Sequence, residues 1–137
     1  MPPYINLEIK AMALKDYDVK IEASVFFVPE ESDEERGHYV FAYTIAITNG
    51  GDVGVQLISR HWVITDANQQ TQEVRGLGVV GEQPLLKPGE SFRYTSGTAI
   101  PTPVGTMRGE YRMVAESGEH FDVSIPEFIL STPRVLH

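Results

Sequence analysis

Apolar and polar side chains alternate with a period of two along most of this chain, as strands with one buried face require. In residues 19–28, Val19, Ile21, Ala23, Val25 and Phe27 share one face and Lys20, Glu22 and Ser24 the other. Pro29 ends that run. Residues 38–49 carry the strongest pattern: Tyr39, Phe41, Tyr43, Ile45 and Ile47 on one face, Val40, Ala42, Thr44 and Ala46 on the other. The second face is small but hardly polar, which suits a strand in the middle of a sheet. Asn49-Gly50-Gly51-Asp52 then supplies turn chemistry. Residues 55–66 are apolar on both faces, with Ile58, Trp62 and Ile64 at even positions and Val55, Leu57 and Val63 at odd ones. Trp62, the only tryptophan, is expected to anchor the core.

The rest of the chain continues in short strands. Residues 66–70 form a turn and 71–75 a short return strand. Residues 91–96 alternate, with Phe92 and Tyr94 inward. Pro101 and Pro103 make residues 101–105 a loop. Residues 107–114 place Met107, Tyr111 and Met113 on one face and Arg108, Glu110 and Arg112 on the other. Residues 116–119 turn the chain into Phe121, Val123 and Ile125. Pro126 is expected to interrupt this hairpin, with residues 128–130 as a last segment. Residues 1–18 mix strand and helix preferences and read as an N-terminal extension of uncertain structure, leaving 19–137 as one domain. Short strands separated by turn signals, with almost no helical period, predict an all-β fold. The expected architecture is a two-sheet antiparallel β-sandwich of seven or eight strands, fibronectin type III or immunoglobulin-like. Its core is expected to hold Phe41, Tyr43, Ile45, Trp62, Phe92, Tyr111 and Phe121.

Composition narrows the picture. A chain of 137 residues that is 42% hydrophobic can bury a self-sufficient core. Cysteine is absent, so disulfides and thiolate metal sites are excluded, which fits a reducing compartment. The formal net charge is −8, unsuited to nucleic acid or to an anionic membrane surface. No apolar run reaches the ~20 residues of a membrane span. The start Met1-Pro2-Pro3-Tyr4 lacks the pattern of a secretion signal, and a cytoplasmic location is expected.

Residues 72–97, QEVRGLGVVGEQPLLKPGESFRYTSG, form the longest irregular connection. They hold a Gly-x-Gly-x-x-Gly triplet of Gly76, Gly78 and Gly81. A dinucleotide site needs a helix opening on those glycines. Here Val79 and Val80 are β-branched and Pro84 and Pro88 follow, so no helix is expected. The glycines then serve positive φ angles or close strand approach. The alternative is a nest of N–H groups that binds an anion, a nucleotide or pyrophosphate, at Gly76, Gly78, Gly81 and the adjacent Arg75. Other candidate chemistry is weaker. Five carboxylates in residues 30–35 can attract a cation but lack the calcium-loop spacing. Ser59, His61 and Asp66 invite a triad reading without a nucleophile elbow. Four scattered histidines, His38, His61, His120 and His137, form no metal-binding pair.

The runs YVFAYT (39–44), VQL through RHW (55–62), EVRG through GVVGEQP (73–84), YTSG (94–97), TPVGTMRG (102–109) and the ending 121–125 resemble the ApaG family over about residues 19–137. The resemblance implies a fibronectin type III-like sandwich. Bacterial members are associated by name with cobalt resistance and magnesium efflux, and the gene commonly neighbours a diadenosine tetraphosphate hydrolase. Related domains in an F-box protein and a polymerase-delta-interacting protein look like interaction modules. The family's Gly-x-Gly-x-x-Gly, carried to Gly76, Gly78 and Gly81, implies a pyrophosphate-binding loop. The expected function is a non-enzymatic binding module without a cofactor, linked indirectly to divalent-cation homeostasis. Its expected partner is a protein, with a phosphate-containing small molecule or direct divalent metal binding as alternatives.

Overall fold

The computed structural model describes residues 17–133. Most of the expected N-terminal extension, and His137, lie outside them. Among the described residues eight strands follow in order: β1 (Val19–Phe27), β2 (Tyr39–Asn49), β3 (Val55–Asp66), β4 (Thr71–Leu77), β5 (Leu85–Leu86), β6 (Ser91–Ile100), β7 (Val104–Ala115) and β8 (His120–Ser131). One sheet has the order β1-β2-β6, the other β4-β3-β7-β8, with the short β5 beside β3. Every pairing is antiparallel. This is the two-sheet sandwich that the alternation predicts. β2, lean on its outer face, is the middle strand of its sheet. Thr44 and Thr48 there pair their hydroxyls with Thr95 and Ser91 of β6, each at 2.7 Å.

The core lies between the sheets. Phe41, Ile45 and Ile47 of β2 meet Leu57, Trp62 and Ile64 of β3, Met107, Tyr111 and Met113 of β7, and Ile125 and Leu130 of β8. Trp62 anchors it edge-on against Tyr43, Tyr111 and Phe128, with ring centroids 5.4, 6.3 and 5.9 Å away. Such offset pairs each add about 0.5–1.5 kcal/mol beyond area burial. Phe92 and Phe121 are only half-buried and pack against the rim. The hydroxyls of Tyr94 (β6) and Tyr111 (β7) bond to each other and so join the two sheets. Burial raises both phenol pKa values above the ordinary 10.0.

Two irregularities explain what simple alternation misses. Leu57 pairs with Met113 but Ser59 with Arg112, so Ile58 is an extra residue on β3. This bulge moves the inward face from odd to even positions. Leu57 and Trp62, five apart, therefore both point inward. The second irregularity concerns Pro126. The chain does not stop there: β8 runs through it, because Met107 pairs with Phe128 and Gly109 with Ile125. Pro126 and Glu127 oppose Arg108 alone, a bulge in which a missing N–H breaks no ladder bond. The return strand also continues past 75 to Leu77, taking Gly76 into the sheet.

Candidate functional site

The glycine stretch is a pinned hairpin on the flank of β3. Gly76 pairs with Arg60 inside the β3–β4 ladder. A side chain there would meet the Arg60 guanidinium at 2.8 Å, so this glycine permits close approach. Gly78 and Gly81 have φ of +63° and +80°. Directly after Gly78, Val79 and Glu82 exchange N–H to carbonyl bonds of 2.8 and 2.9 Å around Val80 and Gly81. Both central residues have positive φ, as in a type I′ turn. Such turns favour Asn-Gly, yet this one holds Val80 at φ +44°. A β-branched residue there is strained by about 1–3 kcal/mol.

β3 supplies the pins. The Arg60 guanidinium donates from Nη1 to the carbonyls of Leu77 (3.0 Å) and Gly78 (2.9 Å). The carbonyl of the bulged Ile58 accepts both the Gly78 amide (2.8 Å) and the Gln83 side-chain amide (2.9 Å). Leu57 N–H donates to Pro84 C=O at 3.0 Å. Beyond this, buried Asn49 donates from Nδ2 to the carbonyls of Val53 and Leu86, fixing β5. Val79 is fully buried under the hairpin. By contrast Leu77, Val80 and Leu85 are 75, 55 and 59% exposed. Leu77 and Leu85 flank β3 on one side, opposite Ser59 and Gln56.

The four residues singled out in the sequence are thus one neighbourhood with different roles. No helix follows the glycines: Val79 and Val80 sit in the turn. The amides of Gly78, Val79 and Glu82 are engaged by backbone carbonyls. Arg75 lies on the outer face, exposed, 3.6 Å from the Glu73 carboxylate. What single-sequence reading missed is Arg60, the clamp, and the exposed Leu85. The bulge at Ile58 is what turns Arg60 toward the hairpin, and no residue type announces that bulge.

A cleft of about 400 Å³ opens beside the hairpin on the outer face, lined by Ser59, His61, Arg75, Glu110, Arg112 and Asp122 among others. The His61 ring stands between carboxylates, Nδ1 3.3 Å from Glu110 and Nε2 3.5 Å from Glu73. The buried Nε2 has no hydrogen-bond partner in this arrangement. The carboxylates approach opposite ring nitrogens and do not converge on one ion. Among the described residues, no three His, Asp or Glu gather in a metal-binding arrangement. Asp66 is far from any triad role: its carboxylate accepts from the amides of Asn68 and Gln70. Asp33, in the acidic loop, accepts from the Arg36 amide and starts a short 3₁₀ turn.

Two packed antiparallel sheets, with a pinned glycine hairpin on the flank of the larger one, define a fibronectin type III-like β-sandwich domain. The chain belongs to the ApaG domain family, whose sequence profile matches residues 29–115. It is 63% identical over 123 residues to Protein ApaG of Nitrosospira multiformis, covering 90% of this chain and 97% of that one. The Nitrosomonas europaea Protein ApaG is equally similar over the same shares. Among solved structures, the putative ApaA protein from Bordetella pertussis superposes with a TM-score of 0.85 at 57% identity. That match covers 88% of this chain and 98% of the other.

Proposed function

We propose that this chain is a non-enzymatic binding module whose contact surface is the hairpin of residues 77–85. The observation that carries this reading is the exposure of Leu77, Val80 and Leu85 on a hairpin clamped by Arg60. Exposed apolar side chains on a rigid, strained element fit a surface held ready for a partner. The partner is a protein with an apolar centre for these three side chains. Its rim is basic, complementary to a net charge of −8. We place the module in the cytosol, where a chain without cysteine fits the reducing conditions. Any link to cobalt or magnesium balance runs through the partner.

The test is a double substitution, Leu77→Ser with Leu85→Ser. Binding of the purified partner should weaken at least about tenfold, because desolvated apolar anchors carry most contact energy. The melting temperature should stay within a few degrees. Unchanged affinity would remove the hairpin from the interface. The second reading, an anion held at Arg75 and the Val80 and Gly81 amides, is favoured by those amides having no backbone partner among the described residues. Titration with ATP or diadenosine tetraphosphate decides it: amide shifts confined to residues 75–83 support it, and none at millimolar ligand ends it.

A further inference from the structure

Among the described residues, strand β4 stands at the end of its sheet order and pairs with β3 alone. Its backbone parity is legible from the bonds at its two ends. Gly78 N–H reaches Ile58 C=O and Asp66 N–H reaches Gln70 C=O. With Leu77 opposite Ser59 and Thr71 opposite Thr65, the even-numbered residues of β4 direct their backbone groups at β3. Thr71, Glu73, Arg75 and Leu77 therefore direct theirs at the open edge. An open edge of this length is a template for another strand.

We propose that the strand it takes is β4 of a second copy of this chain, antiparallel about a twofold axis at Val74. This register alone pairs all four edge-directed residues with edge-directed residues: Thr71 with Leu77 of the second copy, Glu73 with Arg75, and the reverse. Opposite charges then face each other twice on the outer side. Val74, 38% exposed, meets its own copy on the inner side. Moving the axis one residue either way sets Glu73 against Glu73, or Arg75 against Arg75. Like charges directly opposite are unfavourable, so the neighbouring registers are disfavoured. Within one copy Glu73 lies 3.5 Å from the His61 ring and 3.6 Å from Arg75, yet both Glu73 and Arg75 are more than half exposed and can also engage across the edge. The two sandwiches join into one continuous sheet. Both hairpins of residues 77–85 lie at the ends of the joined strands.

Sedimentation of the full chain up to about 1 mM reads the association, which a short edge contact makes weak. Glu73→Arg and Arg75→Glu should each raise the dissociation constant about tenfold, since each replaces two opposite-charge pairs by two like-charge pairs. The combined swap should restore the wild-type value. A second measurement leaves the charges intact. The chain has no cysteine, and opposed residues at a non-hydrogen-bonded position lie at disulfide distance. Val74→Cys should therefore cross-link between copies at least tenfold faster than the exposed control Ile129→Cys. A wild type that stays monomeric to 1 mM overturns the proposal. So does a combined swap no better than either single change, or equal cross-linking at the two cysteine positions.

Discussion

Three glycines within six residues look alike in sequence, and their surroundings separate them. Gly76 makes room for the Arg60 guanidinium, a flexible end that can shift. Gly78 combines φ +63° with a backbone oxygen, that of Glu82, 2.3 Å from where a Cβ would stand. Gly81 has φ +80° and nothing within 4 Å. Gly81→Ala should cost roughly 1–2 kcal/mol, the left-handed penalty alone. Gly78→Ala should cost about 3 kcal/mol or more, because backbone must also move. Urea unfolding of the two variants checks the order. That these glycines serve backbone geometry is legible from their β-branched and proline neighbours. Which one is crowded is not, because the crowding atoms come from Arg60 and from the far side of the turn. Val80 is illegible for another reason. Local preference argues against a valine with φ +44°, and only the closed hairpin around it holds it there.

At the scale of strands, the core pattern was largely readable, because one buried face imposes alternation. It failed where bulges add a residue. Ile58 carries no mark of being extra, yet it turns Arg60 inward and lets the carbonyl of residue 58 hold the hairpin. Arg60→Met keeps the aliphatic stem but frees the Leu77 and Gly78 carbonyls. Amide exchange over residues 77–83 should then accelerate, while that of β2 stays slow. Equal protection throughout would show that Arg60 is no clamp. Between the sheets, the bond from Tyr94 to Tyr111 occupies the role that a cross-sheet disulfide fills in other sandwiches. Either single change to phenylalanine leaves one buried hydroxyl without its partner, at about 1–3 kcal/mol. The double change should cost less than the sum of the singles, a coupling that a double-mutant cycle measures. Both phenols have folded-state pKa values raised above 10.0, chiefly by burial. Their contribution is therefore intact below pH 10 and lost as the pH rises beyond it, since the unfolded chain releases protons that the folded one keeps. Alkaline denaturation should begin near pH 10, and the double phenylalanine variant should delay it.

For the molecule as a whole, the fold and family were open to reading from pattern and motif, and the proposed contact surface was not. An exposed leucine such as Leu85 is unremarkable alone. It gains meaning only when β5 sets it on the same side of β3 as Leu77, with Val80 at the hairpin tip between them in sequence. The charge of −8 belongs to this scale too: it acts on the approach of any charged molecule and not on the fold. The most direct measurement is a map of backbone amide shifts on the labelled chain as the proposed protein partner, once captured and purified, is added. Changes concentrated in residues 76–86, and in the β3 residues that pin them, are the predicted result. Changes confined to the outer face of the β1-β2-β6 sheet, with the hairpin unmoved, would contradict it.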